Sequence, residues 1–366
     1  MLEHPQAAEL SDLGFNPTKQ ALALRFRRFS TALLLVGAFL SLLSALSLGF
    51  VSRYIYQEIL SGTGHHWLGA LLYTYLILVL VHWPLPVVGW ICGRRWQRLT
   101  AASEKNPSLF RLFVKYLVLT LIAIPFFALL YGLESEPWRR VSWWNPICYA
   151  AFMALFDCLF STGTTSQLKK ADKALQERAA ELGKKLKLKP KHIRLRIIDS
   201  ANAQAAHVVI SFWDAIFLTT GLLSQLAPEE LDVVLGHELG HKKTAWALGL
   251  ILGPRYLGPS LVVLLLEELA AVYGVERTEI AALPLFLALA DVGLFLAKPF
   301  ENAIRRWLER RADRLALRIT GDPGAFVRVI TKLYDGNLVD AAPGKVWQLV
   351  FGTHPTGLER VKLACR

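Results

Sequence analysis

The chain has 366 residues, of which 54% are apolar and 19% are charged, and its mean hydropathy is +0.37. Soluble globular proteins carry about a quarter of charged residues, so this composition excludes a set of compact soluble domains, and it equally excludes a disordered or collagen-like chain. The 41 Lys and Arg residues exceed the 29 Asp and Glu residues by 12. In a soluble protein this excess would indicate nucleic-acid binding. In a membrane protein it can have another cause, so the distribution of the basic residues along the chain must distinguish the two.

The first half of the chain predicts four membrane-spanning helices. Residues 29–52 carry no charge, and about 20 apolar residues cross the hydrocarbon core of a bilayer. Because a polar leader, residues 1–28, precedes this run, we interpret it as a retained span and not as a cleaved signal peptide. Further spans are predicted in the region 29–162 at residues 67–91, with a kink at Pro84 and Pro86, at residues 115–134 and at residues 142–160.

Basic residues concentrate in alternate connections between these spans. The leader and the connection after the second predicted span are rich in Lys and Arg, whereas the first and third connections contain few. Connections rich in Lys and Arg lie on the cytoplasmic side of a membrane. The pattern therefore places the N terminus and the end of the four-span region in the cytoplasm, and it makes the charge a topology signal that implies no nucleic-acid partner.

Residues 163–244 have the composition of a water-facing domain. The helical spacing of Leu168, Leu175, Ala179, Leu182 and Leu186 predicts an amphipathic helix of about five turns. Three short strands are predicted next, at residues 193–197, 206–211 and 215–219. A helix then begins at Pro228, because proline is tolerated in the first turn and the following glutamates complement the N-terminal end of the helix.

This helix carries the sequence His-Glu-Leu-Gly-His at residues 237–241. Residues four apart project from the same helix face, so His237 and His241 can bind one zinc ion. Glu238 is then placed to act as the general base toward a water molecule at the metal. The alternative is a histidine pair without metal beside Lys242 and Lys243.

A catalytic zinc ion takes three protein ligands and leaves one position for water or substrate. Residues 245–300 contain two apolar stretches that predict a hairpin of spans leaving the cytoplasmic side and returning to it. Residues 301–366 form the second part of the polar domain and begin with an Arg-rich helix. On one face of that helix lie Glu309, which we assign as the third ligand, and Asp313, which we expect to orient a ligand imidazole. Ordinary salt bridges of both carboxylates with neighbouring arginines are the alternative.

Two charged residues fall inside the predicted hairpin. Arg255 lies about ten residues into its first arm, and Asp291 lies at a similar depth in the second. An unpaired charge in hydrocarbon is costly, so we predict that Arg255 and Asp291 pair or share a watery cavity. The adjacent Gly253-Pro254 leaves open a re-entrant first arm.

From Leu168 to the C terminus, the chain resembles the integral-membrane zinc metallopeptidases that include the CAAX prenyl proteases and the bacterial HtpX-type heat-shock proteases. The resemblance rests on residues 226–231 before the HExxH motif and on the E-x-x-x-D pattern of residues 309–313. It also rests on Asn202-Ala203 before the active-site helix and on His354-Pro355, which is followed by Arg360 six positions after the histidine. The chain departs from the family at residues 204–207, where relatives often have an aromatic residue and a glycine.

The resemblance implies a mostly α-helical, polytopic membrane protein of about six transmembrane helices with a cytoplasmic α+β zincin-like peptidase domain. It implies one zinc ion per chain on His237, His241 and Glu309, with Glu238 as the catalytic base.

The resemblance also assigns residues to the substrate. It implies that Asn202, His354 and Arg360 form a polar network around the bound peptide and the tetrahedral oxyanion, with His354 and Arg360 as catalytic residues. Asn202 and Ala203 are expected to bind the substrate, on a strand that can hold an extended peptide by strand addition.

The sequence thus predicts a membrane-embedded zinc metalloendopeptidase that hydrolyses membrane-associated or misfolded proteins at the cytoplasmic face of a bacterial inner membrane. Its expected partners are a peptide or protein substrate and the lipid bilayer. In the expected reaction, Glu238 takes a proton from water activated by zinc and delivers it to the leaving amine. The alternatives are an intramembrane-cleaving metalloprotease and a transporter or scaffold with an inert HELGH.

Overall fold

The structure, a computed structural model, describes residues 5–100, 168–199, 205–208, 215–248 and 283–365, with short pieces at 108–111, 113–114, 117–118 and 250. Several predicted features lie wholly or mostly outside the described residues: the third and fourth spans, the substrate residues Asn202 and Ala203, and the first arm of the hairpin with Arg255.

Four helices form the described N-terminal part: α1 (Ala7–Asp12), α2 (Pro17–Thr63), α3 (His66–His82) and α4 (Pro84–Thr100). The end of α3 and the start of α4 meet at the predicted kink, where Pro84 cannot donate a backbone hydrogen bond. Within the described residues, three helices are long and apolar enough to cross a membrane, namely Pro17–Thr63, Leu68–Thr100 and Leu283–Thr320. They include the first two predicted spans and the second arm of the predicted hairpin.

The leader packs against the C-terminal part of the chain. It forms α1 and the start of α2, and its Leu10 and Phe15 are buried in the main hydrophobic core. The backbone N–H of Asn16 and the side-chain amide of Gln20 both donate to the Asp335 carboxylate, each at 2.8 Å. The leader is polar on average, but its few apolar side chains pack it against the C-terminal part of the chain.

A four-stranded sheet and its helices follow: β1 (Leu168–Lys170), α5 (Lys173–Lys185), β2 (Leu195–Ile198), β3 (Ala205–Val208), β4 (Ala215–Thr219), α6 (Thr220–Gln225) and α7 (Pro228–Lys243). Single 3-10 turns lie at Pro190–His192 and Ala245–Leu248. The strand order is β1-β2-β4-β3, in which β2 and β4 are parallel and the two edge strands are antiparallel to their neighbours.

The amphipathic helix predicted from Leu168 begins later than expected. Residues 168–170 form the edge strand β1, and α5 starts at Lys173 because the Asp172 carboxylate accepts a hydrogen bond from the N–H of Leu175 at 2.7 Å. Such a cap defines a helix N terminus. The apolar face of α5 packs on the core as predicted, through Leu175, Ala179 and Leu182.

The C-terminal part consists of α8 (Leu283–Thr320), α9 (Pro323–Gly336), α10 (Lys345–Val350) and α11 (Gly357–Ala364). With 38 residues, α8 is about 57 Å long at the usual helical rise. Its first half is apolar, with exposed Leu285, Leu296 and Phe300, and its second half packs against α7. One continuous helix therefore connects an apolar, membrane-compatible segment with the polar domain.

Candidate active site

The α7 helix carries the His-Glu-Leu-Gly-His motif at its C-terminal end. Its start is fixed by Pro228 in the first turn and by the Glu230 carboxylate, which accepts a hydrogen bond from the N–H of Ala227 at 2.9 Å. Basic residues in the last turn complement the helix dipole. A regular helix through this segment places His237 and His241 one turn apart on the same face.

This face of α7 points at α8. The two helices approach closely because glycines on α7 oppose alanines on α8: a Cβ added to Gly236 would lie 3.2 Å from the Cα of Ala316. The close approach brings Glu309 of α8 to the two histidines.

Potential ligand atoms of three side chains converge between the helices. His237 Nε2 lies 3.1 Å from His241 Nε2 and 3.3 Å from Glu309 Oε2, and His241 Nε2 lies 3.2 Å from Glu309 Oε1. Ligand atoms around tetrahedral zinc, with bonds of about 2.0–2.1 Å, are about 3.3–3.4 Å apart. The arrangement of these side chains therefore fits a metal ion of that size.

The chemistry of the cluster also suits a cation. Glu309 Oε2 is buried and has no hydrogen-bond partner within the described part of the chain, which is costly for a carboxylate oxygen unless a cation accompanies it. Burial alone would lower the pKa of His237, but the carboxylates of Asp313 and Glu309 raise it to about 10. The negative field that favours a proton on this imidazole also favours a divalent metal ion.

Asp313 supports His237 from behind. Its Oδ1 lies 2.9 Å from His237 Nδ1, and the Asp313 side chain is fully buried. A carboxylate at this position fixes the proton on Nδ1 and leaves the Nε2 lone pair facing His241 and Glu309. Arg360 donates two hydrogen bonds to the same carboxylate, from Nε to Oδ2 at 2.9 Å and from Nη2 to Oδ1 at 2.6 Å.

Two further predicted residues are Glu238 and His354. Glu238 follows His237 on α7 and is buried. His354 Nε2 lies 3.5 Å from Glu309 Oε2, and its side chain is 56% exposed, so this histidine stands at the open side of the site. Its Nδ1 lies 2.9 Å from the Thr353 hydroxyl.

Sequence reasoning missed the residues that hold the loop carrying His354. Arg306 Nη1 donates to the carbonyl oxygens of Gln348 at 2.8 Å and Gly352 at 2.6 Å, and Asn302 Nδ2 donates to that of Val350 at 2.6 Å. The signal was present in the spacing, because residues 302, 306, 309 and 313 follow one another at intervals of four, three and four along one helix face.

Asp291 lies away from this cluster, in the apolar half of α8. Its Oδ2 is 3.5 Å from His82 Nε2 at the end of α3. The predicted pairing with Arg255 stays a prediction because Arg255 lies outside the described residues. The structure thus brings His237, His241, Glu309, Asp313, His354 and Arg360 together and leaves Asp291 apart.

Comparisons with known proteins identify the family of the chain. The family model described as Peptidase family M48 matches residues 169–364. A Bacillus subtilis (strain 168) protein named "Uncharacterized metalloprotease YhfN" is 25% identical over 316 residues, which span 79% of this chain and 71% of that protein. "Protease HtpX homolog 1" of Streptomyces coelicolor is 30% identical over 128 residues, and the aligned part spans 32% of this chain and 40% of the HtpX homolog.

A solved structure shows the same fold. The crystal structure of S. mikatae Ste24p superimposes with a TM-score of 0.55 at 13% sequence identity. The match covers 90% of this chain and 97% of that one, so the likeness includes both the apolar helices and the polar domain.

Proposed function

Since this chain belongs to peptidase family M48 and is a membrane metallopeptidase, we propose that its metal is one zinc ion per chain, held by His237, His241 and Glu309. The observation that carries the proposal is the mutual separation of 3.1 to 3.3 Å among their ligand atoms. When bound there, zinc would polarise the scissile carbonyl group and acidify a water molecule.

Each neighbouring residue has a proposed part in peptide hydrolysis. Glu238 accepts the proton of the attacking water and passes it to the leaving amine. His354, exposed at the open side of the site, donates a hydrogen bond to the oxyanion that forms from the substrate carbonyl. Because both of its hydrogen bonds to the site go to Asp313, we assign Arg360 as a positioning residue that acts through Asp313 and His237.

The substrate is proposed to be a membrane-associated or misfolded protein. The edge strand β3 is antiparallel to β4 and contacts α7, so a peptide extended along its outer edge would lie next to the active-site helix. Asn202 and Ala203, which lie one residue before this strand in the sequence, are proposed to contact the peptide backbone.

The proposed topology has about six spans in a bacterial inner membrane, with the N terminus and the active site in the cytoplasm. Its support is the alternation of basic connections in the sequence. The docking of the leader on the polar domain agrees with it, because both must then lie on the same side of the membrane.

The proposal is tested with the purified full-length protein. We expect about one zinc ion per chain by elemental analysis. Glu238→Gln should retain the zinc and lose peptidase activity toward an unfolded protein substrate by about 10²- to 10⁴-fold, the usual contribution of a general base. Glu229→Gln, an exposed neighbour on the same helix, is the matched control and should keep both. Full activity of Glu238→Gln would refute the role of Glu238 as the general base. A chain that purifies without zinc would refute the assignment of zinc as its metal.

A further inference from the structure

The short helix α10 presents apolar side chains on its outer face. Val346 is 77% exposed and Leu349 is 50% exposed, and their spacing of three residues places them on the same side of the helix. Trp347 points the other way, toward α2, where its indole N–H donates to the Thr31 hydroxyl at 2.8 Å. The guanidinium group of Arg27 lies 5.2 Å from the centre of the same indole ring. The helix is therefore anchored on one side and apolar on the other.

The contact with α2 indicates where α10 lies relative to the membrane boundary. Thr31 is near the start of the uncharged run of residues 29–52, and Arg27 and Arg28 are the last charged residues before it. This transition from basic to uncharged sequence is where a spanning helix enters the hydrocarbon core. The N-terminal half of α10 therefore lies at the membrane boundary of α2.

The contact with α8 independently indicates the same position of α10 relative to the membrane boundary. Asn302, which donates to the Val350 carbonyl at 2.6 Å, is two residues beyond the exposed Phe300 at the end of the apolar half of α8. Phe351, directly after α10, packs edge-on against Phe295 with ring centres 6.4 Å apart. The C-terminal end of α10 therefore reaches the last apolar turns of α8.

We infer that α10 is an interfacial helix whose Val346 and Leu349 insert among the lipid acyl chains at the membrane surface. Leu296 and Phe300 of α8 are also exposed, and they lie next to Phe295 and Asn302, which contact the end of α10. Because the apolar face of α10 is thus at the level of exposed apolar residues of a spanning helix, we assign lipid and not a second protein as its occupant. Lys345 at the start of α10 is exposed and is placed for the phosphate groups of the lipids, as is usual for helices lying in the interface.

The insertion connects the membrane with the active site. Gln348, between the two exposed apolar residues, donates from its side-chain amide to the carbonyl of His354 at 2.6 Å. Arg306 and Asn302 bind the backbone of the same segment. The short helix α10 is therefore in contact with lipid through Val346 and Leu349 and with the loop of His354 through Gln348.

The inference is tested with a fluorescent label in the full-length chain, after its four cysteines are replaced. Val346→Cys and Leu349→Cys are labelled with an environment-sensitive dye and placed in phosphatidylcholine–phosphatidylglycerol vesicles. The matched control is Lys184→Cys, an exposed position next to Lys185, whose ammonium group donates to the carbonyl of Ile319 at 2.7 Å. Ile319 is nineteen residues beyond Phe300, about 28 Å along α8.

We expect a blue-shifted emission at positions 346 and 349, loss of fluorescence with lipids that carry a spin label high on the acyl chain, and protection from aqueous iodide. A label at position 184 should show no blue shift, no quenching by the spin-labelled lipids and full quenching by aqueous iodide. Iodide quenching of 346 and 349 equal to that of 184 would overturn the inference. Lipid-independent protection that depends on protein concentration would overturn it too, since it would indicate contact between two copies of the chain. The labels report on lipid contact whether or not the site binds zinc, so this test does not depend on the proposed reaction.

Discussion

Gly240 of α7 lies so close to Ala312 of α8 that a Cβ at position 240 would be 3.0 Å from the Cα of Ala312 and 3.3 Å from its carbonyl oxygen. Gly240 directly precedes His241, and Ala312 lies between Glu309 and Asp313. The contact is between backbones, which cannot move aside as a flexible side chain can. It therefore sets the distance between the two halves of the metal site.

We predict that Gly240→Ala separates α7 from α8 and weakens metal binding. Forcing a methyl group into a packed contact costs about 1–3 kcal/mol, and here the displacement moves His241 away from Glu309. The measurement is zinc retention during dialysis against a graded chelator, together with the melting temperature. Gly89→Ala in α4, where nothing lies within 4 Å of the added Cβ, is the control: it should retain zinc as wild type does and should not melt at a lower temperature. Unchanged zinc retention in Gly240→Ala would show that the helix contact does not set the site.

Asp313 gives a second prediction through its hydrogen bond to His237. Asp313→Asn should lower zinc affinity about 10- to 100-fold, as loss of a carboxylate behind a ligand histidine typically does. Arg360→Ala should lower it too, because Asp313 then remains buried without its 2.6 Å partner and its environment must rearrange.

The measurement for both variants is competition with a fluorescent zinc chelator. Glu301→Gln, which removes an ion pair with Arg305 on the same helix but away from the site, is the control. If Arg360→Ala bound zinc as wild type but lost activity, Arg360 would act on the substrate and not through Asp313.

The residues that we propose as metal ligands could be identified from the sequence because their spacing along each helix is local. The four-residue spacing of His237 and His241, and of Glu309 and Asp313, fixes helix faces without knowledge of the fold. The role of Asp313 behind an imidazole follows once the two helices meet. In contrast, the bond between Arg360 and Asp313 joins residues 47 apart, and no spacing rule predicts such a contact.

The leader and β1 show where sequence patterns were insufficient. Leu10 and Phe15 are isolated apolar residues in a polar segment, and their burial depends on a surface formed by distant parts of the chain. Leu168 fits the helical period of α5, but the cap at Asp172 and the pairing of β1 with β2 assign it to a strand. Both differences arise because tertiary contacts outweigh a weak local preference.

A third prediction concerns the loop of His354. Arg306→Ala removes two hydrogen bonds to the carbonyls of Gln348 and Gly352, so His354 loses its fixed position beside Glu309. We expect kcat to fall about tenfold to a hundredfold, equivalent to about 1.4–2.8 kcal/mol in the transition state, with a smaller change in KM and with zinc retained. Arg306→Lys should recover part of the loss. Arg305→Ala, on the adjacent position of α8, should behave as wild type. Equal losses in both alanine variants would point to a general effect on the helix.

The last prediction uses the pH dependence of stability at the start of α7. Burial alone would raise the pKa of the Glu230 carboxyl, but hydrogen bonds from Lys332 at 2.7 Å, from the N–H of Ala227 and from Arg328 lower it below the usual value. A carboxyl group whose pKa is lower in the folded protein stabilises the fold above its unfolded pKa, and that contribution disappears as the pH falls through the folded pKa.

Glu230→Gln should therefore unfold more easily than wild type at neutral pH, by about 1–2 kcal/mol for a lost charged hydrogen bond and helix cap. The difference should be constant from neutral pH down to about pH 5, the region of the ordinary glutamate pKa, and shrink below it. Melting temperatures of the detergent-solubilised protein across this range provide the measurement, with the exposed neighbour Glu229→Gln as the control. Because protonated Glu230 is as uncharged as the glutamine, the melting temperatures of wild type and Glu230→Gln should converge at acidic pH. A gap that widens as the pH falls would mean that Glu230 is protonated in the folded protein and that its contacts with Lys332 and Arg328 do not stabilise the active-site helix.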